Sequence, residues 1–265
     1  MASGISFCGK EKKMFPFTHV LVAQILLSSS DHQVVLGGIL PDLGNSIGLN
    51  RDITHEMGTG FYGFCRDNFP EYLEFARAII THGSRPCGLD YYADECYQGR
   101  EKGYCFQRGL PFSRKVVTAC NIPQEMGLWK AHNFIEMAYE LIAVERYPHL
   151  SDAVTKMLDD KYIIAKCSDL LGHYFNIDTS KVGTAISRMP TYFCLLNVNS
   201  QNLAEKYAQQ LKVRHHINGA DVDGIAKIIE EAKASVAHEF ENFISSSVDL
   251  ISNLLRDYPK RDNAY

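Results

Sequence analysis

QEMGLWKAHNFIEMAYELIAVE, residues Gln124–Glu145, runs for 22 residues with one glycine and no proline. Met126, Leu128, Trp129, Phe134, Ile135, Met137, Ala138, Leu141 and Ile142 recur at three- and four-residue intervals. That interval places them on one side of an α-helix. The same period extends outward in both directions. Phe69–Thr81 follows two residues suited to capping, Asp67 and Asn68, and Phe15–Ser28 carries Val20, Leu21, Ala23, Ile25 and Leu26. Ser151 reads as the cap of a helix running past Met157 towards Leu171; Leu203–Val213 and a long stretch over about 222–257 complete the pattern. Only Gln33–Leu36 and Thr191–Val198 are candidates for strands. No stretch rich in Gly, Pro or Ser divides the chain. The expectation is an all-α, single-domain multi-helix bundle over residues 1–265, with a core in 14–145 and an additional helical layer in 150–258.

Composition narrows the function classes. The chain has 265 residues, 46% hydrophobic and 22% charged, which is ordinary for a globular protein and excludes long disorder. Its formal net charge of −4, without a Lys/Arg block, gives no electrostatic footprint for nucleic acid or an anionic membrane. No apolar run approaches the roughly 20 residues that span a bilayer. Lys10, Lys12 and Lys13 before Phe15–Leu27 imitate a signal peptide, but His19 and Gln24 interrupt the run and no clean cleavage pattern follows. There is no Asn-x-Ser/Thr sequon, and the cytoplasm is the expected compartment. The eight cysteines contain no Cys-x-x-Cys pair and read as small buried thiols.

Candidate chemistry gathers on histidine and carboxylate. His19, His55, His82 and His132 each lie on or beside an apolar helical stretch. Asp42 is sheltered within Ile39-Leu40-Pro41-Asp42-Leu43, and Asp90 within Gly88-Leu89-Asp90-Tyr91-Tyr92. One such histidine is ordinarily a satisfied core residue. Many buried ionisable groups together are expensive without a compensating ion. His132 and Glu136, four residues apart on the predicted 124–145 helix, project from one face and can chelate one divalent cation.

Taken in chain order, His19, Asp42, His55, His82, Asp90 and His132-x-x-x-Glu136 resemble the zinc-dependent phospholipase C family and its relatives, the P1/S1-type nucleases. The early histidine lies in Thr18-His19-Val20-Leu21-Val22-Ala23. The family's Leu-Gly-x-x-x-Pro-Asp is matched by Leu36-Gly37-Gly38-Ile39-Leu40-Pro41-Asp42, its next histidine by Thr54-His55, and its closing His-x-x-x-Glu by His132 and Glu136. The resemblance covers about residues 14–145. It implies an all-α enzyme whose metal cluster comes from several helices. It also implies a phospholipase C/P1 nuclease-like core, with extra helices after it.

Two differences from the family are visible. Its His-x-x-x-Asp is stretched here by Gly83-Ser84-Arg85-Pro86-Cys87-Gly88, so the ligand is Asp90 or Asp94, and the histidine that follows is replaced in the Asp94-Glu95-Cys96 stretch. The N-terminal tryptophan whose amine binds metal in extracellular members has no counterpart, because Met1–Met14 precede the first helix. The expected cofactor is therefore one or two divalent ions, zinc first, with iron or manganese compatible with the same ligands.

The expected function is a metal-dependent hydrolase, a phosphodiesterase acting on a small phosphoester. Asp42 would bridge two ions as the catalytic carboxylate. Arg85, in the loop after His82, is the candidate contact to an anionic substrate. Tyr91, Tyr92 and Trp129 are candidate pocket residues. A non-catalytic metal- or ligand-binding helical protein is the alternative. An HD-type phosphohydrolase ranks behind it, for the chain contains no His-Asp dipeptide. Gly219–Gly224 with Glu230 approaches an EF-hand loop but lacks its first aspartate, which leaves Asp221 as a helix cap. His215-His216 read as a solvated helix end.

Overall fold

The stretch around His132 becomes the central helix, α9 (Gly127–Arg146), entered through a 3-10 turn at Gln124–Met126. It is buried on every side, including Lys130, His132, Asn133, Glu136 and Glu140. A helix buried all round belongs at the centre of its domain. The computed structural model describes residues 16–260; Met1–Met14, the three lysines at 10, 12 and 13, and Phe15 lie outside the described residues.

Eight helices precede α9: α1 (Pro16–Leu27), α2 (His32–Ile39), α3 (Gly44–Ile47), α4 (Arg51–Glu56), α5 (Gly58–Asn68), α6 (Leu73–His82), α7 (Tyr104–Gly109) and α8 (Ser113–Cys120). Seven follow it: α10 (His149–Asp159), α11 (Lys161–Phe175), α12 (Thr179–Ser187), α13 (Met189–Tyr192), α14 (Ser200–His215), α15 (Val222–Val236) and α16 (Phe240–Leu255). The described residues contain no strand, only an isolated bridge between Tyr97 and Arg100. Helices α1, α7, α8, α10, α14 and α15 all pack on α9, so the later helices close over the same core as the earlier ones. No helix among the described residues is long and apolar enough to cross a membrane.

Several local expectations are corrected. Residues 33–36 are helical, not a strand: Asp31 caps α2 by accepting from the backbone N–H of Gln33, and Val34–Ile39 are buried. A short apolar run reads alike as a buried strand or a buried helix. The 191–198 stretch is the end of α13 followed by irregular chain. Ser151 caps nothing, since α10 starts before it; Asp160 breaks the expected long helix and caps α11, accepting from Ile163 N–H. The 222–257 stretch is interrupted at Ala237–Glu239 between α15 and α16. Asp221 does cap α15, accepting from Gly224 N–H.

Two features fix α1 and α2 against their neighbours. Gly37 allows α2 to lie against α6: a Cβ there would stand 2.7 Å from the Phe75 carbonyl oxygen and from the Ala78 Cβ. Glu140, on α9, caps the start of α1 from outside the helix. Its carboxylate accepts from Phe17 N–H at 3.0 Å, Thr18 N–H at 2.9 Å and the Thr18 hydroxyl at 2.8 Å. Burial pushes this carboxyl up to about 8, opposed by those three hydrogen bonds. Glu140→Ala leaves buried donors unsatisfied and is expected to cost about 3 kcal/mol of stability. A chemical denaturation midpoint matching the parent would show that Glu140 does not anchor α1.

Candidate metal centre

The histidines and carboxylates singled out in the sequence are carried by six separate segments of the chain. His19 lies one turn into α1, Asp42 on the 3-10 turn Leu40–Leu43, His55 near the end of α4 and His82 at the last position of α6. Asp90 precedes a π-helical turn, Tyr91–Glu95, which contains Asp94. His132 and Glu136 come from α9. Glycine closes this frame where the chain crosses itself. A Cβ on Gly103 would fall 2.2 Å from the Asp94 backbone nitrogen, so only glycine lets residue 103 press against the turn that holds Asp94.

All eight side chains fall into three groups, the first two sharing His82: His19, His82 and Asp90; Asp42, His55 and His82; Asp94, His132 and Glu136. Within each group the potential ligand atoms lie within 4.8 Å of one another. Asp90 links the first two. Its Oδ1 is 3.3 Å from His19 Nε2, and its Oδ2 is 3.2 Å from His55 Nε2 and 3.9 Å from His82 Nε2. Asp42 Oδ1 stands 3.4 Å from His55 Nε2 and 3.8 Å from His82 Nε2. In the third group His132 Nε2 is 3.8 Å from Glu136 Oε1, and the His132 ring stacks on Phe106 at 4.2 Å. Apart from Asp94, no member is more than 4% exposed. Asp90 and Asp94, the two alternatives left by the sequence, fall in different groups.

Hydrogen bonding sets the orientation of two imidazoles. His82 Nδ1 is 2.7 Å from the Gly38 carbonyl oxygen, and His55 Nδ1 is 2.9 Å from that of Arg51. A carbonyl only accepts, so both Nδ1 atoms carry the proton. Such partners are what fix the tautomer of a metal-binding histidine. The two Nε2 atoms then face each other at 3.3 Å. Burial and the neighbouring His19 hold His82 well below the ordinary imidazole value, so its Nε2 presents a bare lone pair at neutral pH. Burial raises the Asp42 carboxyl, but His82 and His55 beside it bring it below the usual carboxylate value. Neither Asp42 oxygen makes a hydrogen bond of normal length, although the residue is 3% exposed. Buried, ionised oxygens and converging imidazole lone pairs are the donor set a divalent cation satisfies.

Arg51 also enters the candidate centre, and sequence reasoning missed it. Its Nη2 donates to Asp90 Oδ2 at 2.6 Å and stands 3.8 Å from Asp94 Oδ2, spanning two of the groups. Burial opposes its charge, yet Asp90, Asp94, Asp42 and Glu136 together raise it, so it remains a cation. The signal was its position four residues before His55 on α4, the same spacing as His132 and Glu136. Arg85, expected at the substrate, is half-exposed and bound elsewhere: it pairs with Glu95 at 2.9 Å and lies over the Tyr91 ring. The supposedly solvated His215 differs from expectation. The Lys130 ammonium sits over the Trp129 ring and 2.9 Å from His215 Nε2, and burial pushes Lys130 down to about 7. Among the described residues Cys65, Cys120, Cys167 and Cys194 are buried free thiols, and Cys87 and Cys96 are partly buried ones.

No family model, curated protein or solved structure matches this chain.

Proposed function

We propose that the chain is a metal-dependent hydrolase of phosphoric esters, a divergent relative of the zinc-dependent phospholipase C and P1/S1 nuclease group. One observation carries the reading. Eight residues named from the sequence gather in three neighbouring ligand groups, all but Asp94 buried, with imidazole nitrogens and carboxylate oxygens turned towards each other.

A divalent cation held there supplies Lewis acidity towards a phosphoryl oxygen and a water acidified to a pKa of about 7. His55, His82, Asp42 and Asp90 are the residues that would hold one ion, with His19 against Asp90, and Asp94, His132 and Glu136 a second. The chain's own contribution is orientation and exclusion of water. The Gly38 and Arg51 carbonyls fix the His82 and His55 rings, and the stack of His19 on His82, with centroids 3.6 Å apart, keeps bulk water from one side. Asp94 and Arg51, at 15% and 12% exposure, form the accessible edge from which an anionic ester approaches. Zinc suits these ligands best, and iron or manganese is accepted by the same set. The free thiols favour a reducing compartment, and we place the protein in the cytoplasm.

A second reading has one observation in its favour. The cavity beside His19 and Asp90 measures about 10 Å³, while a cavity of about 310 Å³ lies far along the chain, at Pro190–Leu196 and Asn202–Gln209. A closed centre suits a metal-binding protein without turnover. Hydrolysis of a generic aryl phosphodiester by the zinc-loaded protein separates the two. Turnover that disappears in Asp42→Ala supports the hydrolase, and metal binding without turnover supports the second reading.

A further inference from the structure

We propose that Arg51 takes the place of a divalent cation in this centre, so that the filled site holds two metal ions with the guanidinium as its third positive centre. The inference rests on the metal-site reading above and adds the number of ions and the role of the arginine.

The first argument is valence. Two of the three ligand groups share His82, and its Nδ1 is committed to the Gly38 carbonyl. One Nε2 lone pair serves one ion, so these two groups compete for it. Without His82, His19 and Asp90 remain from the first group, and Asp90 Oδ2 is already engaged by Arg51 at 2.6 Å. Two protein ligands fall short of the three or four that zinc sites use. The third group, Asp94, His132 and Glu136, shares no member with the others. The ligands therefore suffice for one ion on each side of Arg51.

The second argument is charge. Asp42, Asp90, Asp94 and Glu136 are four carboxylates in the centre, and Arg51 is raised by all of them. Two divalent ions would match the four carboxylates charge for charge, and the guanidinium adds a positive charge beside them. A third ion would add two further positive charges to a site whose members are nearly all buried, which is expensive.

Position agrees with both arguments. The guanidinium contacts Asp90 of one side and Asp94 of the other. It therefore lowers the attraction of both carboxylates for metal. An arginine that merely oriented these ligands would have the opposite effect, because its loss would loosen metal binding.

The test is zinc titration of the chelator-stripped full chain, with elemental analysis after removal of unbound ion. The set is the parent, Arg51→Lys, Arg51→Met and Arg51→Gln. Two zinc ions per chain are expected in the parent and in Arg51→Lys. Binding at least about tenfold tighter, or a third ion, is expected in whichever neutral variant keeps the parent's circular dichroism. Any parent stoichiometry above two, or a folded neutral variant that binds zinc no more tightly than the parent, overturns the role given to Arg51 while leaving the metal centre standing. A parent that binds no zinc removes the metal centre itself.

Discussion

Asp42→Ala and His132→Ala are each expected to lower hydrolysis of an aryl phosphodiester by at least about a hundredfold, with the helical circular dichroism retained. Loss of a partner that merely orients a ligand typically costs about 10–100-fold in metal affinity or activity, and loss of a ligand itself costs no less. The two residues report on different parts of the centre. Asp42 lies against His55 and His82, whereas His132 pairs with Glu136 beside Asp94. Asp42 offers two oxygens in a site from which water is excluded, and alanine has nothing to replace them. If turnover needs both ions, either substitution alone removes it and the double variant is no worse than the more severe single. Parental activity in both would place the chemistry elsewhere in the molecule.

Removing metal is expected to cost nearly as much in stability. Ligands drawn from α1, α4, α6, α9, the Asp42 turn and the Asp90–Asp94 segment meet only in the folded chain, so an ion bound there stabilises the native state selectively. Free metal at about a thousand times its dissociation constant contributes roughly 4 kcal/mol. At about 2–4 °C per kcal/mol for a chain of this size, prolonged chelation should lower the melting temperature by about 10 °C. Readdition of zinc should restore it. An unchanged melt, with elemental analysis showing that metal has left, would contradict the link between ligand assembly and folding.

The helical class and the members of the centre were legible because both follow from local rules. A 3.6-residue apolar period in 124–145 calls for a buried helix, and a chelating pair four residues apart stays on one face wherever that helix goes. The order of His19, Asp42, His55 and His82 could be read against a known arrangement without any knowledge of distances. Asp90 and Asp94 could not be assigned, because the segment between His82 and Cys96 is an irregular loop closed by a π-helical turn, in which sequence spacing does not fix direction. Arg51 stayed hidden for another reason. An arginine four residues before a histidine is common on any exposed helix, and only tertiary packing brings it to Asp90, 39 residues away. Lys130 and His215 met for the same reason, across a separation of 85 residues. The breaks at Asp160 and at Ala237–Glu239 escaped because neither carries a proline or glycine; at Asp160 a carboxylate cap ends one helix and starts the next.

Elemental analysis of the purified full-length chain, alongside Asp42→Ala and His132→Ala prepared identically, puts the central claim to its most direct trial. Two divalent ions per parent chain, with a clear loss in each variant, is the predicted result. A parent free of divalent metal after purification, and unable to take up zinc when it is supplied, would contradict it.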